Sequence, residues 1–267
     1  MTRIAPYDPE RFTSAITHYI AGRPQYSPRL LAKLAAEAHL GPQSRVLDLG
    51  CGPGTLAIPF RRYCGTLIAM DIDPAMIAAA RRAAHDSGVT IDLRVGSSFD
   101  LDTSLAPLDL VIMGRSFHWM DRAATLERLN ELLAPGGAIA LLETALHSYG
   151  ENHWHTIFED IRTRYSRLDD FNRWRKGEAF ERHTSVLLRS QFSDVESMST
   201  FDVRTPDIDA LVARALSFSA NSPAILGDDA AAYAAEMRAG LLAACPDGVF
   251  PEIVESTAII ARRPATP

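Results

Sequence analysis

The amino-acid sequence predicts an α/β protein whose strands form a mostly parallel, doubly wound sheet. The first observation is that short apolar runs alternate with helical segments between residues 41 and 145. The second is a turn with glycine at every second position, which follows an apolar run that contains an acid. The third is another acid at the end of the next apolar run. Ligands of such sheets bind at the carboxyl ends of the strands, so we expect a binding site at that edge.

The elements of the first half follow in order from the hydrophobic pattern. A first helix is expected at about 28–39, with Ser27 as its N-cap. Another begins after Asp73, a suitable N-cap that precedes Pro74 at the first helical position. A third is expected at about 122–133. Strands are expected at about 45–49, 67–71, 91–95, 109–113 and 138–143.

The pattern changes at about residue 146, where histidine, arginine and aromatic residues become frequent. One or two amphipathic helices are expected within 147–190. Later strands are expected at about 192–203 and 253–261, and later helices at about 207–218 and 228–244. We divide the chain into an N-terminal helical segment at 1–40, a core at 41–145, a helical insertion at 146–191 and C-terminal strands and helices at 192–267.

Composition argues against several classes of protein. The chain has 267 residues, a net charge of −6 and a pI near 5.7, whereas a general nucleic-acid binder usually has a basic face. No apolar run reaches the ~20 residues that cross a bilayer, and the first residues lack the apolar segment of a signal peptide. The three cysteines show neither disulfide nor zinc spacing. We therefore expect a cytoplasmic monomer or homodimer that binds neither nucleic acid nor membrane.

The stretch from residue 46 to 54 reads VLDLGCGPG and carries the strongest functional signal. Gly50, Gly52 and Gly54 lack a Cβ atom and let a ligand approach the backbone. In a dinucleotide-binding turn the third glycine would stand one place later, and Asp48 would repel a pyrophosphate. Asp48 suits a cationic ammonium group instead. Asp71 lies 21 residues beyond Gly50, where a carboxylate at a strand end accepts hydrogen bonds from ribose hydroxyls.

These residues resemble motif I and the ribose-binding acid of the class I S-adenosylmethionine (SAM) methyltransferases. The resemblance implies a Rossmann-like sheet of seven strands, with helices on both faces and an antiparallel last strand. It also implies that the helices of 1–40 form a lid and that the insertion at 146–191 covers the substrate. It implies SAM as the cofactor and S-adenosylhomocysteine as the product. The implied cofactor contacts on the first three strand ends are Asp48, Gly50, Cys51, Gly52, Gly54, Asp71, Ile72, Met76, Ser97, Ser98 and Phe99. An acid often stands in the family at the position that Ser97 occupies here.

A second resemblance lies after the fourth strand, where residues 114–121 read GRSFHWMD. This stretch is similar to the F-H-W-x-D segment of small-molecule methyltransferases related to trans-aconitate and ubiquinone-pathway enzymes. His118 is a candidate general base, since the intrinsic pKa of histidine is near ~6.5. The alternative is that His118 only locks the loop against the next helix. Arg115 in the same loop is a candidate cofactor contact.

Residues 18–28 resemble the Y-x-x-x-R-P-x-Y segment that precedes the core of many small-molecule methyltransferases and folds over the cofactor as a lid. By this resemblance Arg23 would bind the methionine carboxylate of SAM through its planar guanidinium group. Tyr19 and Tyr26 would wall the methyl site. The alternative for Arg23 is a surface salt bridge.

The sequence therefore predicts an enzyme that transfers a methyl group from SAM to a small-molecule acceptor by in-line displacement. Two alternatives stay open: a methyltransferase of proteins or nucleic acids, and a non-catalytic SAM-binding sensor or regulatory protein. A nicotinamide oxidoreductase is opposed by Asp48 and by the position of the third glycine. The histidines between residues 147 and 155 lack a recognised ligand spacing, so no metal is expected.

Overall fold

A computed structural model describes residues 13–264, in which seven strands form one sheet. The strands are β1 (Arg45–Leu49), β2 (Thr66–Asp71), β3 (Asp92–Val95), β4 (Leu108–Gly114), β5 (Leu133–Leu146), β6 (Asp194–Arg204) and β7 (Glu252–Arg262). They lie side by side in the order β3-β2-β1-β4-β5-β7-β6. Residues 1–12 of the predicted lid and 265–267 of the predicted last segment lie outside the described residues.

Helices connect these strands and cover both faces of the sheet. The helices are α1 (Ile16–Gly22), α2 (Pro28–Glu37), α3 (Ala57–Phe60), α4 (Pro74–Asp86), α5 (Arg122–Leu132), α6 (His155–Tyr165), α7 (Asp170–Lys176), α8 (His183–Leu188), α9 (Ile208–Leu216), α10 (Pro223–Leu226) and α11 (Asp229–Ala244). Val46 packs with Leu30 of α2 on one face, and Leu47 packs with Leu126 of α5 on the other. Alternate residues of β1 therefore serve two separate cores.

The strand directions confirm the predicted fold class. Each neighbouring pair among β1 to β5 is parallel, and β7 runs antiparallel to both β5 and β6. The last strand is thus the antiparallel one, as expected. Because the parallel strands share one direction, the loops after β1, β2, β3 and β4 meet at the same edge of the sheet.

Two N-cap predictions meet different outcomes. The N-cap role of Asp73 is confirmed, because its Oδ1 accepts the backbone N–H of Ala75 at 2.8 Å. The N-cap role of Ser27 is wrong: its side chain makes no cap hydrogen bond, and its own N–H donates to the Ser256 hydroxyl at 3.2 Å. Ser27 is held by β7 and not by its own helix.

Long-range contacts also change two predictions, the end of β5 and the number of helices in the insertion. β5 continues to Leu146 instead of ending near residue 143, because it pairs with β7 as far as Val254. The segment 147–190 was expected to hold one or two helices, and it forms α6, α7 and α8. Its short helices pack against other parts of the chain, which the local hydrophobic pattern does not record.

The N-terminal helix α1 lies against α9 at an unusually close crossing. A Cβ atom on Gly22 would lie 2.0 Å from the backbone nitrogen of Arg214, so glycine is required there. Nε of Arg214 donates to the carbonyl of Gly22 at 2.9 Å. The same guanidinium group forms a buried, two-pronged pair with Glu252 at 2.7 and 3.1 Å. The C-terminal third of the chain thus holds α1 in place.

Candidate functional site

The candidate site begins at the glycine turn between β1 and α3. Gly50, Gly52 and Gly54 have φ angles of +74°, +54° and +84°, a region that glycine adopts far more readily than other residues. A Cβ atom on Gly50 would lie 2.5 Å from Cβ of Ser116, whereas one on Gly52 would meet nothing within 4 Å. The turn is therefore closed against the loop after β4 at Gly50 and open to a ligand at Gly52.

Asp48 places a buried carboxylate next to this turn. Its side chain is 0% exposed, and neither carboxylate oxygen has a hydrogen-bond partner among the described residues. Burial raises the pKa of Asp48 well above its ordinary value, and the nearby Asp71 carboxylate raises it further. The backbone N–H of Ala57 lowers this pKa in part, although it is not close enough or well enough aligned to count as a hydrogen bond. An unpartnered buried polar group is costly. A ligand ammonium group would relieve that cost and favour the ionised carboxylate.

Asp71 ties the glycine turn to the start of α4. Its Oδ2 accepts the N–H of Gly52 at 2.7 Å, and its Oδ1 accepts the N–H of Asp73 at 2.9 Å. Burial raises the pKa of Asp71, and these two N–H groups lower it in part. Each carboxylate oxygen has two acceptor positions. Asp71 therefore keeps acceptor capacity for hydroxyl groups of a ligand after it has ordered the turn.

Exposed apolar side chains continue the site beyond Asp71. Ile72, which follows the buried strand β2, is 45% exposed, and Phe99, in the loop after β3, is 51% exposed. Exposed apolar surface of this kind is typical of a binding edge. Met76 is only 7% exposed, and Cys51 and Ser98 are buried too. Any ligand contact of these three is limited to the small area that stays accessible.

The loop after β3 contains an acid that the sequence reasoning missed. The hydroxyl of Ser97 donates to Oδ2 of Asp100 at 2.8 Å, and the Ser97 N–H donates to the same oxygen at 2.7 Å. Both bonds lower the pKa of Asp100. Asp100 thus brings a carboxylate to the loop in which Ser97 replaces the usual acid. The available signal was the Ser-x-x-Asp spacing, which is typical of a side chain that closes a turn.

Arg23 packs against aromatic rings and forms no surface salt bridge within residues 13–264. Its guanidinium carbon is 3.9 Å from the ring centroid of Phe218 and 5.4 Å from that of Tyr19. Its Nε donates to the Ser217 hydroxyl at 2.8 Å. Burial lowers the pKa of Arg23 to about 10, which leaves the group charged at neutral pH. Among residues 13–264 it has no carboxylate partner.

Arg115 approaches Tyr19 as well, from the end of β4. Its guanidinium carbon lies 5.2 Å from the Tyr19 ring and 4.9 Å from the Tyr26 ring. Burial alone would lower its pKa, but Tyr19 and Tyr26 raise the pKa of Arg115 above its ordinary value. Its φ of +59° is uncommon for a residue with a side chain. Arg23 and Arg115 thus place two guanidinium groups beside the Tyr19 ring, and such groups suit a carboxylate.

His118 lies in the turn that follows β4. The hydroxyl of Ser116 holds this turn against β1 by donating to the carbonyl of Leu49 at 2.7 Å. The His118 ring contacts Trp119 at 4.9 Å and His183 at 6.3 Å between centroids. Burial first, and then nearby cationic groups led by Arg175, hold the pKa of His118 well below its usual range. The imidazole is therefore neutral at pH 7, and these surroundings make it a weaker proton acceptor than an exposed histidine.

The histidines of the insertion do not gather into a metal site. In the described part of the chain, no three His, Cys, Asp or Glu side chains are placed to hold a metal ion. Nε2 of His147 lies 2.5 Å from Glu255, and Nε2 of His153 lies 3.3 Å from Sγ of Cys245.

Among residues 13–264, no helix is both long enough and apolar enough to cross a membrane.

Comparison with protein families now decides the class of this site. Residues 46–137 match the family model described as a methyltransferase domain. These residues form a class I SAM-dependent methyltransferase domain. The domain contains Asp48, the glycine turn, Asp71 and His118. It excludes Tyr19 and Arg23 before it and the helical insertion after it.

The relatives in sequence share about half of the chain. A ubiquinone biosynthesis O-methyltransferase of Methylocella silvestris is 35% identical over 48% of this chain and 47% of its own length. An uncharacterized methyltransferase of Mycobacterium tuberculosis is 30% identical over 49% and 51%. A ribosomal protein L11 methyltransferase of Thermus thermophilus is 35% identical over 42% of each chain. The chain thus spans about half the length of the curated relatives it matches.

Solved structures extend the likeness in fold to most of the chain. A putative type II methyltransferase from Anaeromyxobacter dehalogenans superposes with a TM-score of 0.64, at 22% identity, over 90% of this chain and 97% of that one. A SAM-dependent methyltransferase from Geobacter sulfurreducens, in complex with S-adenosylhomocysteine, gives 0.52 at 19% identity over 99% and 100%. At such identities the likeness shows the fold alone.

Proposed function

We propose that the whole chain is a SAM-dependent methyltransferase that acts on a small-molecule acceptor. The observation that carries this proposal is the fully buried Asp48 carboxylate, which has no described partner beside an open glycine turn. SAM carries an ammonium group for this carboxylate, ribose hydroxyls for Asp71 and a carboxylate for a guanidinium group. The residues present therefore fit the cofactor that the methyltransferase domain implies.

Each part of the cofactor has residues that would hold it. Asp48 would bind the ammonium group, and Arg23 and Arg115 would bind the methionine carboxylate beside Tyr19. Asp71 would accept the ribose hydroxyls. The backbone of the glycine turn, with Cys51, would follow the methionine. Ile72, Met76, Ser98 and Phe99 would surround the adenine, with Ser97 positioned by Asp100.

The chemistry divides between the cofactor and the chain. When bound, SAM supplies a methyl carbon that its sulfonium has already activated. The residues of the chain must then orient the acceptor, exclude water and, for a protonated acceptor, remove a proton. His118 is the candidate for that last task, because it is neutral and lies at the carboxyl edge of β4.

A small acceptor is favoured by the segments that surround the domain. We propose that 1–40 forms a lid over the site and that 146–191 covers the acceptor, before 192–267 completes the sheet. Tyr19 of α1 already contacts Arg115, and Arg23, the residue after α1, contacts Phe218. Such cover leaves room for a small molecule more readily than for a folded partner. The ribosomal-protein methyltransferase among the relatives makes a protein acceptor the alternative outcome.

Calorimetric titration tests the cofactor assignment directly. SAM and S-adenosylhomocysteine should bind with micromolar-range affinity, roughly −8 kcal/mol, and NAD or ATP should bind far more weakly. Asp48→Asn keeps the shape but removes the charge, so it should weaken both cofactor forms. Asp92→Asn is the matched control, because Asp92 pairs with Arg94 on the surface of β3. Binding of NAD without binding of SAM would refute the proposal.

A further inference from the structure

Six aromatic side chains form a closed circuit beside His118. Starting from His118, neighbouring ring centroids are 4.9 to 6.3 Å apart, which is the normal range for interacting rings. The members in order are His118, Trp119, Phe171, Trp174, Phe180 and His183. We call this set the aromatic circuit. It joins the loop after β4 to α7 and α8 of the insertion.

The aromatic circuit is not an ordinary part of the hydrophobic core. Of its six rings only Phe171 is buried, and the other five stay partly accessible. The insertion has its own core elsewhere, around the fully buried Trp154 and Phe158 of α6. Aromatic side chains are common in the lining of small-molecule sites, and the accessible parts of these rings offer such a lining to a planar ligand.

The aromatic circuit also adjoins the glycine turn. Ser116 and Met120 flank His118 and Trp119 in the sequence. A Cβ atom on Gly50 would lie 2.5 Å from Ser116 and 3.3 Å from Cε of Met120, so both flanking residues touch the turn. The two rings between them therefore lie within one loop of the residues assigned to the cofactor. That is where an acceptor must stand to reach the methyl group.

Positive charge accompanies these rings in a chain that is acidic as a whole. The guanidinium carbon of Arg175 lies 5.9 Å from the Trp119 ring, and its buried Nε has no described hydrogen-bond partner. The guanidinium carbon of Arg122 lies 4.5 Å from the Phe180 ring. Arg122 donates to the carbonyl of Glu181 at 2.7 Å, and its Nη1 lies 3.3 Å from Nδ1 of His183. Of these two, Arg175 therefore has a donor to spare for a ligand.

We propose that the aromatic circuit and Arg175 form the acceptor subsite, and that the acceptor is a planar aromatic molecule with a negative charge. This inference rests on the proposed methyltransferase function. Stacking on Trp119 and Trp174 would hold the ring of the acceptor, and Arg175 would hold its anionic group.

The local electrostatics supports the anion independently of the rings. The groups that lower the pKa of His118 after burial are Arg175, His183 and Arg122, all of them cationic or able to become so. Asp169 raises the pKa of Arg175 and so offsets part of this positive field. An anionic acceptor would offset more of it and return the pKa of His118 toward its ordinary value. Binding of the acceptor would thus make His118 a better proton acceptor.

Three probe molecules separate ring recognition from charge recognition. They are 2-naphthoate (aromatic and anionic), 2-naphthylmethanol (aromatic and neutral) and cyclohexanecarboxylate (anionic without an aromatic ring). Each is titrated calorimetrically into the full chain saturated with S-adenosylhomocysteine. We expect 2-naphthoate to bind at least about tenfold more tightly than either of the others, since only it uses both the rings and Arg175.

Variants of α7 assign the effect to the proposed groups. Arg175→Gln should weaken 2-naphthoate about tenfold and leave 2-naphthylmethanol unchanged, and Arg175→Lys should restore part of the loss. Arg173→Gln is the matched control, because Arg173 is exposed on the same helix and pairs with Asp170 at 2.8 Å. Trp174→Leu should weaken both aromatic probes and not cyclohexanecarboxylate. Thermal unfolding of each variant checks that it is folded.

The inference is overturned by any of three results in a folded protein. These are no binding of 2-naphthoate, equal affinity for 2-naphthoate and cyclohexanecarboxylate, or the same loss in Arg173→Gln as in Arg175→Gln. Titration with S-adenosylhomocysteine alone keeps the two proposals apart. If that product binds and 2-naphthoate does not, only the acceptor subsite fails. If the product itself does not bind, the proposed function fails.

Discussion

The two sides of the proposed site are built in opposite ways. The cofactor side, formed by Asp48, the glycine turn and Asp71, comes from one βαβ unit, and its defining hydrogen bond joins Gly52 to Asp71 across 19 residues. The acceptor side joins separate segments: beside the aromatic circuit, Arg122 donates to the carbonyl of Glu181 across 59 residues. A local unit gives a readable motif, whereas a site assembled over such distances leaves only scattered residues in the sequence. Substitutions on the two sides should therefore have separable effects.

The largest expected effect is on the acceptor side, at His118. His118→Ala should slow methyl transfer to 6-hydroxy-2-naphthoate by about 10²–10⁴-fold, because the phenol must lose a proton. The affinity for S-adenosylhomocysteine should stay the same, since His118 belongs to the other side. Single-turnover transfer of a labelled methyl group and calorimetry measure the two quantities.

His118→Gln separates the proton acceptor from the shape of the side chain. Glutamine keeps much of the contact with Trp119 and His183 but cannot take the proton. A glutamine variant as active as the wild type, next to an impaired alanine variant, would show that His118 only positions the loop. A fall in cofactor affinity in both variants would show that the cofactor side and the acceptor side are not independent.

The second effect, on the cofactor side, is smaller and concerns binding. Asp71→Ala should weaken S-adenosylhomocysteine by about 1.5–3 kcal/mol, because charge-assisted hydrogen bonds to ribose are lost. Asp71 also orders the N–H groups of Gly52 and Asp73, so Asp71→Asn, which keeps one acceptor oxygen, should lose less. Calorimetry gives both values. Unchanged affinity in a folded Asp71→Ala variant would remove this residue from the cofactor side.

The smallest effect is on stability and depends on pH. Burial first, and then Arg122 and Arg175, lower the pKa of His183 from 6.5 to about 4. Between these values the unfolded chain binds a proton that the folded chain does not, so stability should fall as the pH drops from about 6.5 toward 4. Above pH 6.5 the contribution of His183 should be constant.

His183→Gln removes this titration and should lose less stability over the same window. Urea unfolding at pH 7 and pH 5 measures the difference, and the same substitution at the exposed His85 is the matched control. Parallel loss of stability in His183→Gln and in the wild type would show that His183 is not the group responsible. The His183 side chain would then be more accessible to solvent than its contacts with neighbouring residues indicate.

The features that could be predicted from the sequence are the local ones, and the features that depend on contacts between distant segments could not. The seven-stranded sheet and the positions of Asp48 and Asp71 follow from local periodicity and spacing, and the structure brings both acids to the glycine turn. Ser27 was misjudged because its partner, Ser256, lies in the last strand. Asp100 was missed because its role depends on a side-chain bond to Ser97. The aromatic circuit was missed because its members come from three separate segments that only tertiary packing brings together.

The close crossing of α1 with α9 has a consequence for the order in which the molecule is made. Gly22 is synthesised early, but its hydrogen-bond partner Arg214 follows 192 residues later, and Glu252, which pairs with Arg214, lies 230 residues after Gly22. At about 5–20 residues per second, the ribosome needs roughly 10–45 s to add that length. During this interval the nascent chain contains the glycine turn and Asp71 but lacks the residues that hold α1. A newly made molecule therefore has the residues proposed to bind the cofactor before α1 can dock beside them.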